Sequence, residues 1–132
     1  MPVERIVLSQ QARDQLVRLK RFTKLPHWNS LCRWAFCASL AEESPPPRAK
    51  IPADSSVEMS WQTFAGPYHE VYWALLKERC RRDGLAIDDK TLGEQFRLHL
   101  HRGIGYLTGD RKVRSIEGLL EKAIESRADS SQ

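Results

Sequence analysis

The stretch Arg5–Leu40, RIVLSQQARDQLVRLKRFTKLPHWNSLCRWAFCASL, decides the fold. Ile6 and Leu8 alternate with Arg5 and Val7 as in a short half-buried strand, although Val7 makes the alternation imperfect. Ser9 stands where an N-cap accepts hydrogen bonds from the first free amides of a helix. Ala12, Leu16 and Leu19 then recur at three- and four-residue spacing, with Arg13, Asp14 and Arg18 on other faces. Pro26 fits the first turn of a second helix, in which Trp28, Leu31, Cys32, Ala35, Phe36 and Leu40 form one apolar stripe. The reading is strand, helix, basic turn, helix.

Arg18, Lys20, Arg21 and Lys24 crowd around that turn. Cations so close repel one another and need a counterion, and nucleic acid is the commonest dense polyanion in a cell. The plainer explanation is a solvated surface whose Lys and Arg keep the protein soluble.

Working outward, Glu42–Ser56 (EESPPPRAKIPADSS) is read as an internal loop extending to about residue 60. Three consecutive prolines favour extended geometry, and the Ala-Asp-Ser-Ser end reads as a flexible surface segment. Trp61 and Phe64 return the chain to the core, and Gly66-Pro67 makes a turn. A third helix carries Tyr68, Val71, Tyr72, Leu75, Leu76 and Cys80 at helical spacing. It finishes with Arg79, Arg81 and Arg82, which suit its negative dipole end, and Gly84 stops it. Asp88 or Asp89 opens a fourth helix striped by Leu92, Phe96, Leu100, Ile104 and Leu107. Ile116, Leu119, Leu120, Ala123 and Ile124 would line one face of a short helix in a C-terminal extension, 115–132, that ends in a polar tail. Residues 1–114 form one mainly α-helical domain with a short N-terminal strand, oligomerising through its apolar faces.

At 132 residues, with net charge +4 and pI near 9.1, the chain has the size of one domain and the balance of a protein with an acidic partner. No apolar run approaches the roughly 20 residues of a membrane span, and the N-terminus lacks a secretory layout. A soluble, cytoplasmic, nucleoid-associated protein is expected. Cys32, Cys37 and Cys80 form no CxxC pair and are read as small buried hydrophobes. His99 and His101, two apart on a helix, point in different directions, so no metal site is expected. Gly103, Gly105 and Gly109 follow a helix with no Walker lysine, which points to close helix packing and then a break. Trp28 and Trp61 belong to apolar clusters. No nucleophile, base and acid assemble, so neither catalytic residues nor a cofactor is expected, and the protein is read as not an enzyme.

In order and spacing, the blocks RIVLSQQARDQL, LCRWAFCASLAE with its following PPP, YWALLKERCRRDGL and LGEQFRLHLHRGIGYL together resemble the DndE family of the bacterial DNA phosphorothioation system. The resemblance covers roughly Val3–Leu107. It implies a mostly helical homotetramer that binds double-stranded DNA, with a preference for nicked duplex, and that works with the other Dnd proteins, which supply the sulfur chemistry. It also implies DNA contact at the basic turn, here Lys20, Arg21 and Lys24 with Arg18 as neighbour. Glycine is expected near this turn in many relatives, whereas Lys24-Leu25-Pro26 is stiffer. Two alternatives stand beside this reading: an adaptor bridging other modification proteins, and a ribbon-helix-helix-like repressor with Arg5 and Val7 facing bases.

Overall fold

The computed structural model describes residues 5–109. Strand β1 (Arg5–Val7) leads through the Ser9 N-cap into helix α1 (Gln10–Thr23), where the Ser9 Oγ accepts the Ala12 N–H at 3.1 Å. Helix α2 (Trp28–Ala41) begins at Trp28 with His27 as N-cap, so Pro26 lies in the connection and not in the first helical turn. Strand β2 (Glu58–Ser60), short helix α3 (Trp61–Ala65) and a single 3-10 turn (Gly66–Tyr68) lead into α4 (His69–Arg82). Helix α5 (Asp89–Gly109) opens on Asp88, whose Oδ1 accepts the Thr91 N–H at 2.8 Å. Gly84, at φ 75°, ends α4 as its sequence position implied. The expected helix of residues 115–128 lies outside the described residues.

The core forms around α2, which packs chiefly against α5 and also meets α1 and α3. Phe36 sits at its centre, 5.7 Å from the Phe64 ring and 5.2 Å from Phe96. Trp61 stacks against both Phe64 and Phe96. Each of these fully buried aromatics adds about 1.5–3 kcal/mol of apolar transfer energy. Gly103 supplies the closest approach: a Cβ there would lie 1.7 Å from the Ala35 carbonyl oxygen, so only glycine lets the two backbones meet. Gly105 and Gly109 would meet nothing within 4 Å among the described residues, and there close packing belongs to Gly103 alone of the three.

Three features depart from the sequence reading. First, β1 pairs antiparallel with β2 of its own chain, Ile6 opposite Met59, and Arg5 is ion-paired with Glu58 at 3.2 Å. A ribbon-helix-helix module needs that strand for its twin, so this alternative loses its ribbon.

Second, the proline-rich segment is irregular but fastened. Arg97 donates to Val7, Ile51 and Pro52 carbonyls at 3.3, 2.6 and 3.0 Å. Asp54 accepts the Gln10 N–H at 2.8 Å, and the Ser55 hydroxyl donates to the Leu8 carbonyl at 2.6 Å. The Ala-Asp-Ser-Ser end is therefore tied to Leu8, between β1 and α1, and to the first residue of α1.

Third, the α4 stripe splits. Leu76 and Cys80 are buried, but Tyr68, Val71 and Leu75 are 60%, 55% and 42% exposed, leaving an apolar face on the outside.

Arg79 also changes role. It is 4% exposed, is paired with Asp83 at 2.9 Å, and donates to the carbonyls of Leu40 (2.9 Å), Glu43 (3.2 Å) and Ser44 (2.9 Å). Arg102 donates to the Ser39 hydroxyl, the Ser39 carbonyl and the Ser44 carbonyl, all at 2.8 Å. α2 has no basic residue in its own last turn, and two arginines from other helices meet the Leu40 and Ser39 carbonyls at its C-terminal end instead. The dipole that Arg79 serves is that of α2.

Candidate nucleic-acid interface

Arg18, Lys20, Arg21 and Lys24 are all exposed at the end of α1, and none has an acidic partner among the described residues. Asp14, the only acid of α1, is already engaged by Arg13 at 3.3 Å and by the Gln10 amide at 3.0 Å. Lys20 and Arg21 complement the negative end of the α1 dipole, an effect of about 0.3–1 kcal/mol at an exposed site.

The structure brings these cations to one end of the helix but does not place them on one face. At about 100° per residue, Arg18 and Lys20 are separated by about 200° around the axis, with Arg21 between them. From Arg18 to Lys24 the group spans about 9 Å along the helix. It is a splayed collar of charge, suited to polyanion oxygens at several angles.

The turn itself is well defined. Lys24 adopts φ 59°, ψ 17°, the left-handed conformation, and its N–H closes the helix on the Lys20 carbonyl at 2.9 Å. Thr23 is buried, with its hydroxyl donating to the Leu19 carbonyl at 2.7 Å and accepting the Leu25 N–H at 3.4 Å. A side chain in this backbone region costs on the order of 1 kcal/mol relative to glycine. A lysine is thus held where backbone geometry favours glycine. Thr23 escaped the sequence reading because a lone threonine in a last helical turn carries no distinctive pattern.

The other residue types singled out from the sequence lie elsewhere. Cys32 and Cys80 are buried, and burial pushes their thiols up to about 12 and about 11, far from thiolate formation at neutral pH. Cys37 departs from the expectation: it is exposed on α2, beside the Tyr72 hydroxyl. His99 is buried, with Nδ1 2.8 Å from the Ser39 hydroxyl and Nε2 without a partner among the described residues. Burial and the nearby Arg79 and Arg102 charges push it down to about 4. His101 bridges its own helix and the start of α1. Its Nδ1 is 2.8 Å from the Arg97 carbonyl and its Nε2 accepts the Ser9 N–H at 3.2 Å. His101 is committed through both ring nitrogens and His99 through Nδ1. No group of three His, Cys, Asp or Glu suited to a metal ion occurs among the described residues.

Residues 5–115 match the family model described as DNA sulphur modification protein DndE. The chain belongs to the DndE family. Its fold is similar to the crystal structure of DndE from Escherichia coli B7A, described as involved in DNA phosphorothioation modification. That match has 28% identity and a TM-score of 0.67, over 81% of this chain and 98% of that one. A glycine-to-lysine mutant of DndE, described as involved in DNA phosphorothioation, matches at 26% identity and a TM-score of 0.62 over the same shares. No curated protein matches the sequence. Family membership makes this chain a component of DNA phosphorothioation systems, which agrees with the resemblance read from its sequence blocks. No described helix is long and apolar enough to cross a membrane.

Proposed function

We propose that this DndE-family protein is the non-catalytic, DNA-holding component of a phosphorothioation system, binding double-stranded DNA through Arg18, Lys20, Arg21 and Lys24 and preferring nicked duplex. The observation that carries the reading is the collar itself: four exposed cations with no acidic partner among the described residues, the last held in the left-handed region. Phosphate binding of this kind is salt-sensitive and carries no sequence information by itself. A nick lowers the cost of bending, so a protein that meets more of a bent duplex prefers it.

Residues 1–114 act as the binding domain and 115–132 as an extension. A homotetramer multiplies a modest patch through effective concentration, and the exposed Tyr68, Val71 and Leu75 face of α4 supports self-association. Other Dnd proteins supply the sulfur transfer. The reading places the protein in the cytoplasm, at the nucleoid.

The test is binding to one duplex, intact and nicked, across a salt series, with wild type and Lys20→Ala/Arg21→Ala/Lys24→Ala. Each phosphate that the variant no longer neutralises flattens the log-log salt slope by about 0.9. Weaker binding, a flatter slope and tighter binding to the nicked duplex are the expected results. Unchanged binding by the variant would clear the basic turn and leave an adaptor that meets DNA through its partners.

A further inference from the structure

The basic turn is not the only place where unpaired cations gather. The fastened proline-rich loop passes beside the first half of α5, leaving a cleft of about 790 Å³. Among the described residues, Arg48, Lys50 and Arg97 line it against a single acid, Glu94. Arg48 and Lys50 are exposed and have no acidic partner among the described residues. Among the described residues Arg97 bonds only to carbonyl oxygens, and no carboxylate there pairs with it. The cleft carries an excess of positive charge on a loop whose backbone is pinned.

Lys50 also borders a second concavity, about 420 Å³, whose other wall includes Gln11 and Gln15 of α1. Asp54 lies there too, but its carboxylate is taken up by the Gln10 N–H at the positive end of the helix. Gln11, Gln15 and Arg18 follow at i, i+4 and i+7, one flank of α1. Gln11 and Gln15 donate to nothing among the described residues, so their amides are available to an oxygen acceptor. A polar track therefore runs from Arg48 and Lys50, along that flank, to Arg18 at the near edge of the collar.

From Gln11 to Arg18 the flank measures about 10 Å, which matches about three base-pair steps of B-form duplex. We propose that Arg48 and Lys50 form a second phosphodiester contact on the same duplex that the basic turn holds, with Gln11, Gln15 and Arg18 facing the backbone between them. This rests on the DNA-binding reading above and extends it from a point of attachment to a strip.

The experiment compares wild type, Arg48→Ala/Lys50→Ala, the basic-turn triple variant and their combination, on a duplex of about 20 base pairs across a salt series. Two fewer phosphates neutralised make the slope of the loop variant shallower by about 1.8, and the combination shows the sum of both effects. Arg48→Gln/Lys50→Gln, which keeps side-chain length, repeats the result if the alanine pair folds poorly. A wild-type slope in the loop variants alongside a reduced slope in the turn variant overturns this inference and leaves the proposed function standing. Absence of any salt-dependent binding by wild type overturns both. Inorganic phosphate is titrated calorimetrically in parallel. Saturable heat that disappears in the loop variant would assign the cleft to free phosphate instead of duplex, and would likewise overturn the proposal.

Discussion

Gly103→Ala and Gly105→Ala are the same change two residues apart on α5, and the structure gives them opposite signs. At Gly103 the new Cβ would lie 1.7 Å from the Ala35 carbonyl oxygen, against an ordinary contact of 3.4 Å or more. The obstacle is backbone on both sides, so no side chain can swing away. Relief requires α2 and α5 to part by about 1.5–2 Å, and a gap of even 0.5–1 Å forfeits a quarter to a half of each dispersion contact across the interface. Overpacking costs about 1–3 kcal/mol in ordinary cores, and this site belongs at the upper end. The better helix propensity of alanine returns about 1 kcal/mol, leaving a net loss of about 2 kcal/mol or more. At Gly105 a Cβ would meet nothing within 4 Å among the described residues, so only the propensity gain remains, about 0.5–1 kcal/mol in favour of the variant. Urea and thermal melts followed by circular dichroism, at fixed protein concentration, read both. At about 4 °C per kcal/mol for a domain of this size, Tm should fall by about 8 °C or more in the first and rise by about 2–4 °C in the second. A Gly103→Ala protein as stable as wild type would refute the backbone contact between α2 and α5.

Two further outcomes follow from the turn and from the buried histidine. Lys24→Gly relieves left-handed strain and removes a cation, so it should raise or preserve stability, by up to about 1 kcal/mol, while flattening the salt slope of DNA binding by about 0.9; a parallel fall in stability and in binding would mean the lysine has a structural role. His99 stays neutral in the fold because its pKa falls from 6.5 to about 4. The unfolded chain takes up the proton first, so stability drops as pH falls from about 6.5 to 4, by up to about 3 kcal/mol. His99→Gln should flatten the urea midpoint across that window, and an unchanged profile would assign the acid sensitivity to other groups.

How much was legible in the sequence depends on whether a signal is local. Ser9, Gly84 and Asp88 act within one helical turn of themselves, and their caps and stops appear where the residues imply them. The apolar stripes of α1 and α5 are likewise buried, as is that of α2 apart from the half-buried Trp28 and Leu40. Strand β2 is not legible because three residues, Glu58–Ser60, form a strand only by pairing with β1, about fifty positions away. The α4 stripe misleads for a related reason: periodicity marks apolar residues without saying whether this chain covers them. Arg79, Arg97 and Arg102 are the clearest failure. A guanidinium that bonds to main-chain oxygens leaves no partner residue type to recognise in the sequence. At the candidate site, clustering alone placed the four cations at one helix end. Their spread around the axis and the left-handed Lys24 required the backbone.

The three arginines that fasten the proline-rich segment have a consequence for how the protein can vary. They grip oxygens that every amino acid carries, and the side chains between Leu40 and Pro52 are mostly left outside the grip. The shape of this edge is thereby uncoupled from its lettering. Charge can be added to or removed from positions such as 48 and 50 while the path of the chain stays the same, so the strength of an attachment made there is tunable one residue at a time.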